Sequence, residues 1–91
     1  MTTKAKGFRR DALAAEHALS AQRPGTARGR RARADAIAAF RNYAIVGREW
    51  TLSGIARQRG HIPAAKKHAA RASRFARVGN GLLARAARLL R

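Results

Sequence analysis

The chain's 91 residues carry 21 Lys and Arg against four Asp and Glu, a formal charge of +17. That length holds a single domain, and without cysteine there is neither a disulfide framework nor a thiolate metal site. So lopsided a charge repels itself at low salt, which makes a polyanion the economical partner.

Residues 1–7 read as a basic N-terminal tail and residues 8–91 as one helical domain. The tail lacks the apolar stretch of a secretory signal, and no apolar run in the chain nears the ~20 residues needed to span a bilayer. A first helix is expected over residues 8–22, where Phe8, Ala12, Ala15 and Leu19 form an apolar stripe. Pro24 and Gly25 break it, and a second helical stretch starts near Arg30. There Ile37, Phe40, Ala44, Gly47, Thr51 and Ile55 trace one face, with Gly47, Thr51 and Gly54 small enough to let another helix come close. Ile45, Leu52 and Ala56 form a second stripe, so the stretch is buried on more than one side or changes direction. Thr51 and Ser53 both suit an N-cap, which leaves a continuous helix and a break near Trp50 equally open.

Gly60 and His61 make the next turn, and Pro63 suits the first position of a helix. Residues 63–78 are amphipathic, with Ala65, Ala69, Ala72 and Ala76 on one face and Lys66, Lys67, Arg71, Arg74 and Arg77 across the other. Residues 79–81, Gly-Asn-Gly, read as the end of that helix. A last helix over residues 82–91 sets Leu82, Leu83, Ala86, Leu89 and Leu90 against Arg85, Arg88 and Arg91. The expected fold is all-α, a small bundle of three to five helices. About half of its hydrophobic residues are Ala, so the core is thin, and a homodimer, a larger assembly or a bound polyanion would raise its stability.

Between Thr51 and Arg91 stand ten basic residues and no carboxylate; the last acidic residue is Glu49. Most of the cations are Arg, whose planar fork grips phosphate bidentately and stacks on bases. Within residues 51–73, Ile55 and Ala56 precede Gly60, the Gly standing four residues after the Ala. That spacing resembles a bacterial helix-turn-helix, with a small Ala where two helices cross and Gly in the turn. The resemblance covers about a quarter of the chain and implies a helix-turn-helix-like hairpin. It places Lys66, Lys67, Arg71 and Arg74 on or beside a DNA recognition helix, touching bases or flanking phosphates. Arg59 and Lys66 stand where that motif usually has apolar residues. Leu52, Gly60, Ala65, Ala69 and Ala72 also echo the small-residue spacing of a tetratricopeptide hairpin, although a solenoid needs several repeats and this chain has at most one.

The candidate nucleic-acid-binding set is therefore Arg57, Arg59, Lys66, Lys67, Arg71, Arg74 and Arg77. Phe40 lies on the apolar face, while Tyr43 and Trp50 point away from it. Trp50 reads as the anchor of a bend or part of a dimer interface; the sharper alternative is a base-stacking platform made by the cluster of Phe40, Tyr43 and Trp50. His17, His61 and His68 lack the i, i+4 pairing of a metal site, and no paired carboxylates, nucleophile elbow or phosphate loop occur. No enzyme activity, cofactor or metal is expected. The sequence points to a small DNA-binding regulator or accessory factor of the cytoplasm, associated with nucleoid or RNA. The alternatives are an RNA-binding, ribosome-associated structural protein and a module that docks on an acidic protein surface. The Leu-rich C-terminal helix could also lie on an anionic membrane.

Overall fold

Alanine favours helix wherever nothing opposes it, and the computed structural model, which describes residues 2–91 with side chains from Lys4 onward, is all-helical. Its helices are α1 (Thr2–Ser20), α2 (Ala27–Gln58) and α3 (Ile62–Leu89). Met1, at the head of the expected tail, lies outside the described residues. α1 begins at Thr2 rather than Phe8, because Ala5 carries the apolar stripe one turn further back and its backbone meets Gly47 of α2.

The two chain reversals follow from local chemistry. At the first, Thr26 has extended backbone angles and its hydroxyl accepts from the Gly29 N–H at 2.9 Å, capping α2 after the break at Pro24 and Gly25. At the second, Gly60 takes a positive φ of 76°. The Gly60 N–H donates to Arg57 O and the His61 N–H to Ala56 O, the two bonds of a Schellman ending. Pro63 then opens α3.

The break left open near Trp50 and the one expected at residues 79–81 are both absent. α2 runs straight through Trp50, because the hydroxyls that suited an N-cap are used elsewhere. Thr51 Oγ1 donates to Gly47 O in its own helix, and Ser53 Oγ reaches across to Ala65 O, both at 2.9 Å. α3 likewise continues through Gly79, Asn80 and Gly81, where the sequence suggested an end. Gly79 serves close packing instead of a turn: a Cβ there would lie 2.8 Å from Tyr43 Cε1. The Tyr43 hydroxyl donates to the Asn80 side chain, so Asn80 also points to a neighbour and caps nothing.

α2 lies between the other two helices, and among the described residues α1 and α3 do not pack on each other. The result is a layer one helix thick, 51 × 20 × 13 Å in extent. Between α2 and α3 the core is a ladder of small residues. Ala32, Ala39, Val46 and Ser53 recur every seven positions on α2, and Ala65, Ala72, Gly79 and Ala86 do so on α3; all eight are buried. The Ser53–Ala65 bond at one end and the Asp35–Arg85 pair at the other fix an antiparallel register. In that register Val46 faces Ala72, Ala39 faces Gly79 and Ala32 faces Ala86. A seven-residue repeat is the seam of a coiled coil, here built for close approach. On the other side of α2, Gly47 allows the same closeness to α1: a Cβ there would sit 2.6 Å from Arg9 Cβ.

Candidate nucleic-acid interface

Counting on from each ladder residue of α2, the positions three and four further fall on opposite flanks of the seam. Three on come Asp35, Asn42, Glu49 and Ala56; four on come Ala36, Tyr43, Trp50 and Arg57. The first flank is where the carboxylates are spent. Asp35 accepts a bidentate pair from Arg85, with Nε at 2.8 Å and Nη2 at 2.7 Å. That hydrogen bond, more than any other influence, holds the Asp35 carboxyl below its ordinary value, and the same bond raises Arg85. Glu49 is 2% exposed. Its carboxylate meets His68 Nδ1 at 2.6 Å, with Arg71 Nε at 3.4 Å and Arg48 Nη2 at 3.6 Å. Between α1 and α2, Arg41 Nε donates to Glu16 at 2.7 Å. The fourth acid, Asp11, lies 3.6 Å from Arg10 on the surface. Three of the four acidic side chains thus stitch the two helix seams, and none stands among the cations at the α2–α3 turn.

The seven residues singled out in the sequence divide accordingly. Arg57 and Arg59 close α2, and the turn brings that end beside the first turns of α3, which carry Lys66 and Lys67. Lys67, Arg71 and Arg74 follow at four- and three-residue steps along one stripe, with Arg77 a turn further. From Lys66 to Arg77 this row runs for about 16 Å of helix. All seven are exposed. Arg71 differs from the rest, being drawn toward Glu49; among the described residues Arg57, Arg59, Lys66, Lys67, Arg74 and Arg77 make no ion pair. The row therefore offers its charge outward. Sequence reasoning missed the Glu49–His68 contact, which joins residues 19 apart; the seven-residue spacing of Asp35, Asn42 and Glu49 beside the ladder was the available signal.

The second flank is aromatic. Tyr43 lies edge-on to Phe8 of α1 and to Phe40 of α2, with ring centroids 6.0 and 5.7 Å away. Trp50, two turns further on, is 44% exposed, which removes its expected role at a bend. It lines a groove of about 920 Å³ with Lys4, Ala5, Phe8, Gly47, Ser53, Gly54, Arg57 and Gln58. A second hollow, about 610 Å³, lies toward the far end of the layer and is walled mainly by Leu19, Ala36, Leu83 and Leu90. Among the described residues no three His, Asp or Glu side chains gather as a metal site would need, and no helix is long and apolar enough to cross a membrane. Comparison with family models, curated proteins and solved structures returns no match.

Proposed function

We propose that this chain binds nucleic acid through phosphate contacts made by Arg57, Arg59, Lys66, Lys67, Arg74 and Arg77, with Arg71 joining when its hold on Glu49 loosens. The observation that carries the reading is the division of charge. Three of the four carboxylates are placed where they tie helix to helix, and apart from Arg71 and Arg85 the cations at the α2–α3 turn and along α3 are left exposed without them. A row of exposed cations releases counterions when it meets a phosphate backbone, which is the main source of such affinity. Duplex DNA is the favoured substrate and a regulator or accessory factor the favoured role, associated with nucleoid or RNA in the cytoplasm.

From the helix-turn-helix resemblance this reading keeps the Gly60 turn and the basic second helix. In DNA-reading examples the two helices cross at roughly 90–120°, whereas α2 and α3 lie side by side from Ser53 and Ala65 to Asp35 and Arg85. That arrangement favours contact along a backbone over insertion of one helix end, so the phosphate contacts are proposed ahead of base reading. Titration of labelled duplex DNA and duplex RNA across several salt concentrations tests the reading. Affinity should fall steeply as salt rises, with a log–log slope of roughly −0.9 for each phosphate neutralised on B-form DNA. Tighter binding of the RNA duplex would shift the reading to the RNA-associated alternative, and binding to an acidic protein surface alone would replace it.

A further inference from the structure

Trp50 is the only tryptophan of the chain. It is nearly half exposed although α2 is unbroken beneath it, so neither a bend nor the ladder explains its place. Arg57 stands two turns beyond it on the same flank, and Lys4 of α1 lines the same groove. These two cations are the only charged residues of the lining, and among the described residues neither is tied to a carboxylate. Ala5, Gly47 and Gly54 also line it, and such small residues take up little of its space. Gln58 adds an amide that both donates and accepts. The volume falls in the range of sites that take small molecules, roughly 300–1,000 Å³.

We propose that this groove is a nucleotide site, in which an unpaired base stacks on Trp50 while Lys4 and Arg57 hold its phosphates. The proposal rests on the nucleic-acid reading and sharpens it, since a paired base is stacked on its neighbours and cannot lie against an indole. Aromatic faces rimmed by cations are how single strands are held without sequence preference. An apolar helix from a partner protein would find the same aromatic rings but would leave Gln58 and both cations with nothing to bind. Charge opposes a second copy as the occupant, since each chain carries +17.

The test follows Trp50 emission in the full chain during titration with single-stranded oligothymidylate of about 15 nucleotides, a length near one site of this kind. Parallel titrations use a DNA duplex and heparin, a polyanion without bases. Binding is measured separately, by anisotropy of labelled oligonucleotide and by competition with heparin. Oligothymidylate should quench Trp50, and heparin should bind without doing so. Trp50→Ala should weaken oligothymidylate roughly 5- to 150-fold, the equivalent of one base–aromatic stack, and leave heparin affinity unchanged. Trp50→Phe should restore most of the affinity. Tight oligothymidylate binding with unchanged Trp50 emission would overturn the proposal while leaving the phosphate reading intact. So would an equal loss of heparin and oligothymidylate affinity in Trp50→Ala, or quenching by rising protein concentration alone, which would place a second copy in the groove. If no polyanion binds at all, the phosphate reading itself falls and the site with it.

Discussion

The two flanks of the α2 ladder use polar chemistry in opposite ways. On the first, Asp35 and Glu49 face Arg85, His68 and Arg71 of α3, and the charges close on each other within the protein. On the second, Tyr43 is enclosed by Phe8, Phe40 and Gly79, but Trp50 and Arg57 stand in an open groove. The first flank fixes the register of a seam whose residues are too small to fix it by shape alone. In doing so it consumes two of the four acidic groups, and most cations outside it are left to face an external partner. Net charge alone would not have separated these roles; the pairing does.

The comparison breaks most severely if the ladder itself is widened. Ala72→Leu puts a large side chain opposite Val46 and should destabilise by about 1–3 kcal/mol in urea unfolding, the usual range for overpacking. The same change at the exposed Ala70 should be nearly neutral. Equal effects at the two positions would mean that the seam is not closely packed.

Next comes the charged flank. Glu49→Gln keeps the volume but removes the buried charge that His68 and Arg71 meet, at a cost of about 1–2 kcal/mol, since hydrogen bonds to charged groups are the stronger ones. Both partners are partly exposed and can turn to water, which limits the loss. A double-mutant cycle with His68→Ala should show non-additive losses; additive losses would mean that the two side chains are not coupled.

Much of this architecture was legible in the sequence, and the exceptions share a cause. Helical character, the break at Pro24 and Gly25, the Gly60 turn and the entry at Pro63 all depend on local chemistry. The unbroken course of α2 and α3 does not. Gly79 and Ser53 belong to residue types that end or cap helices, yet here they serve a neighbour, Tyr43 in one case and Ala65 in the other. Which use applies is decided by the register between helices, which composition does not carry. Of the candidate site, the basic row was readable because exposure follows the amphipathic pattern. The diversion of Arg71 to Glu49 and the opening beside Trp50 needed the packing.

The aromatic flank should matter less to stability than either feature above. Trp50→Ala should cost less than Ala72→Leu in the same urea assay, since nearly half of the residue is already in water. A loss as large as that of Ala72→Leu would make Trp50 a structural residue and remove the contrast between the flanks. The smallest expected effect is electrostatic. Arg85 depresses the folded-state value of Asp35, so the pair contributes fully above the unfolded carboxylate value, near pH ~4. Its contribution fades as pH falls through the lower folded-state value. Acid unfolding monitored by far-UV circular dichroism should show this shallow loss in the parent chain and not in Asp35→Asn. The exposure of Arg85 keeps it small and salt-sensitive.

The central claim is that cations left without carboxylates hold phosphate, and the salt dependence of duplex DNA binding measures it directly. Replacing Lys67, Arg74 and Arg77 together by Ala should flatten the log–log slope by roughly 0.9 for each phosphate no longer neutralised, with helicity preserved because Ala is a strong helix former. Replacing the paired Arg85 by Ala should leave the slope nearly unchanged. An unchanged slope in the triple variant, or an equal flattening in Arg85→Ala, would contradict the account.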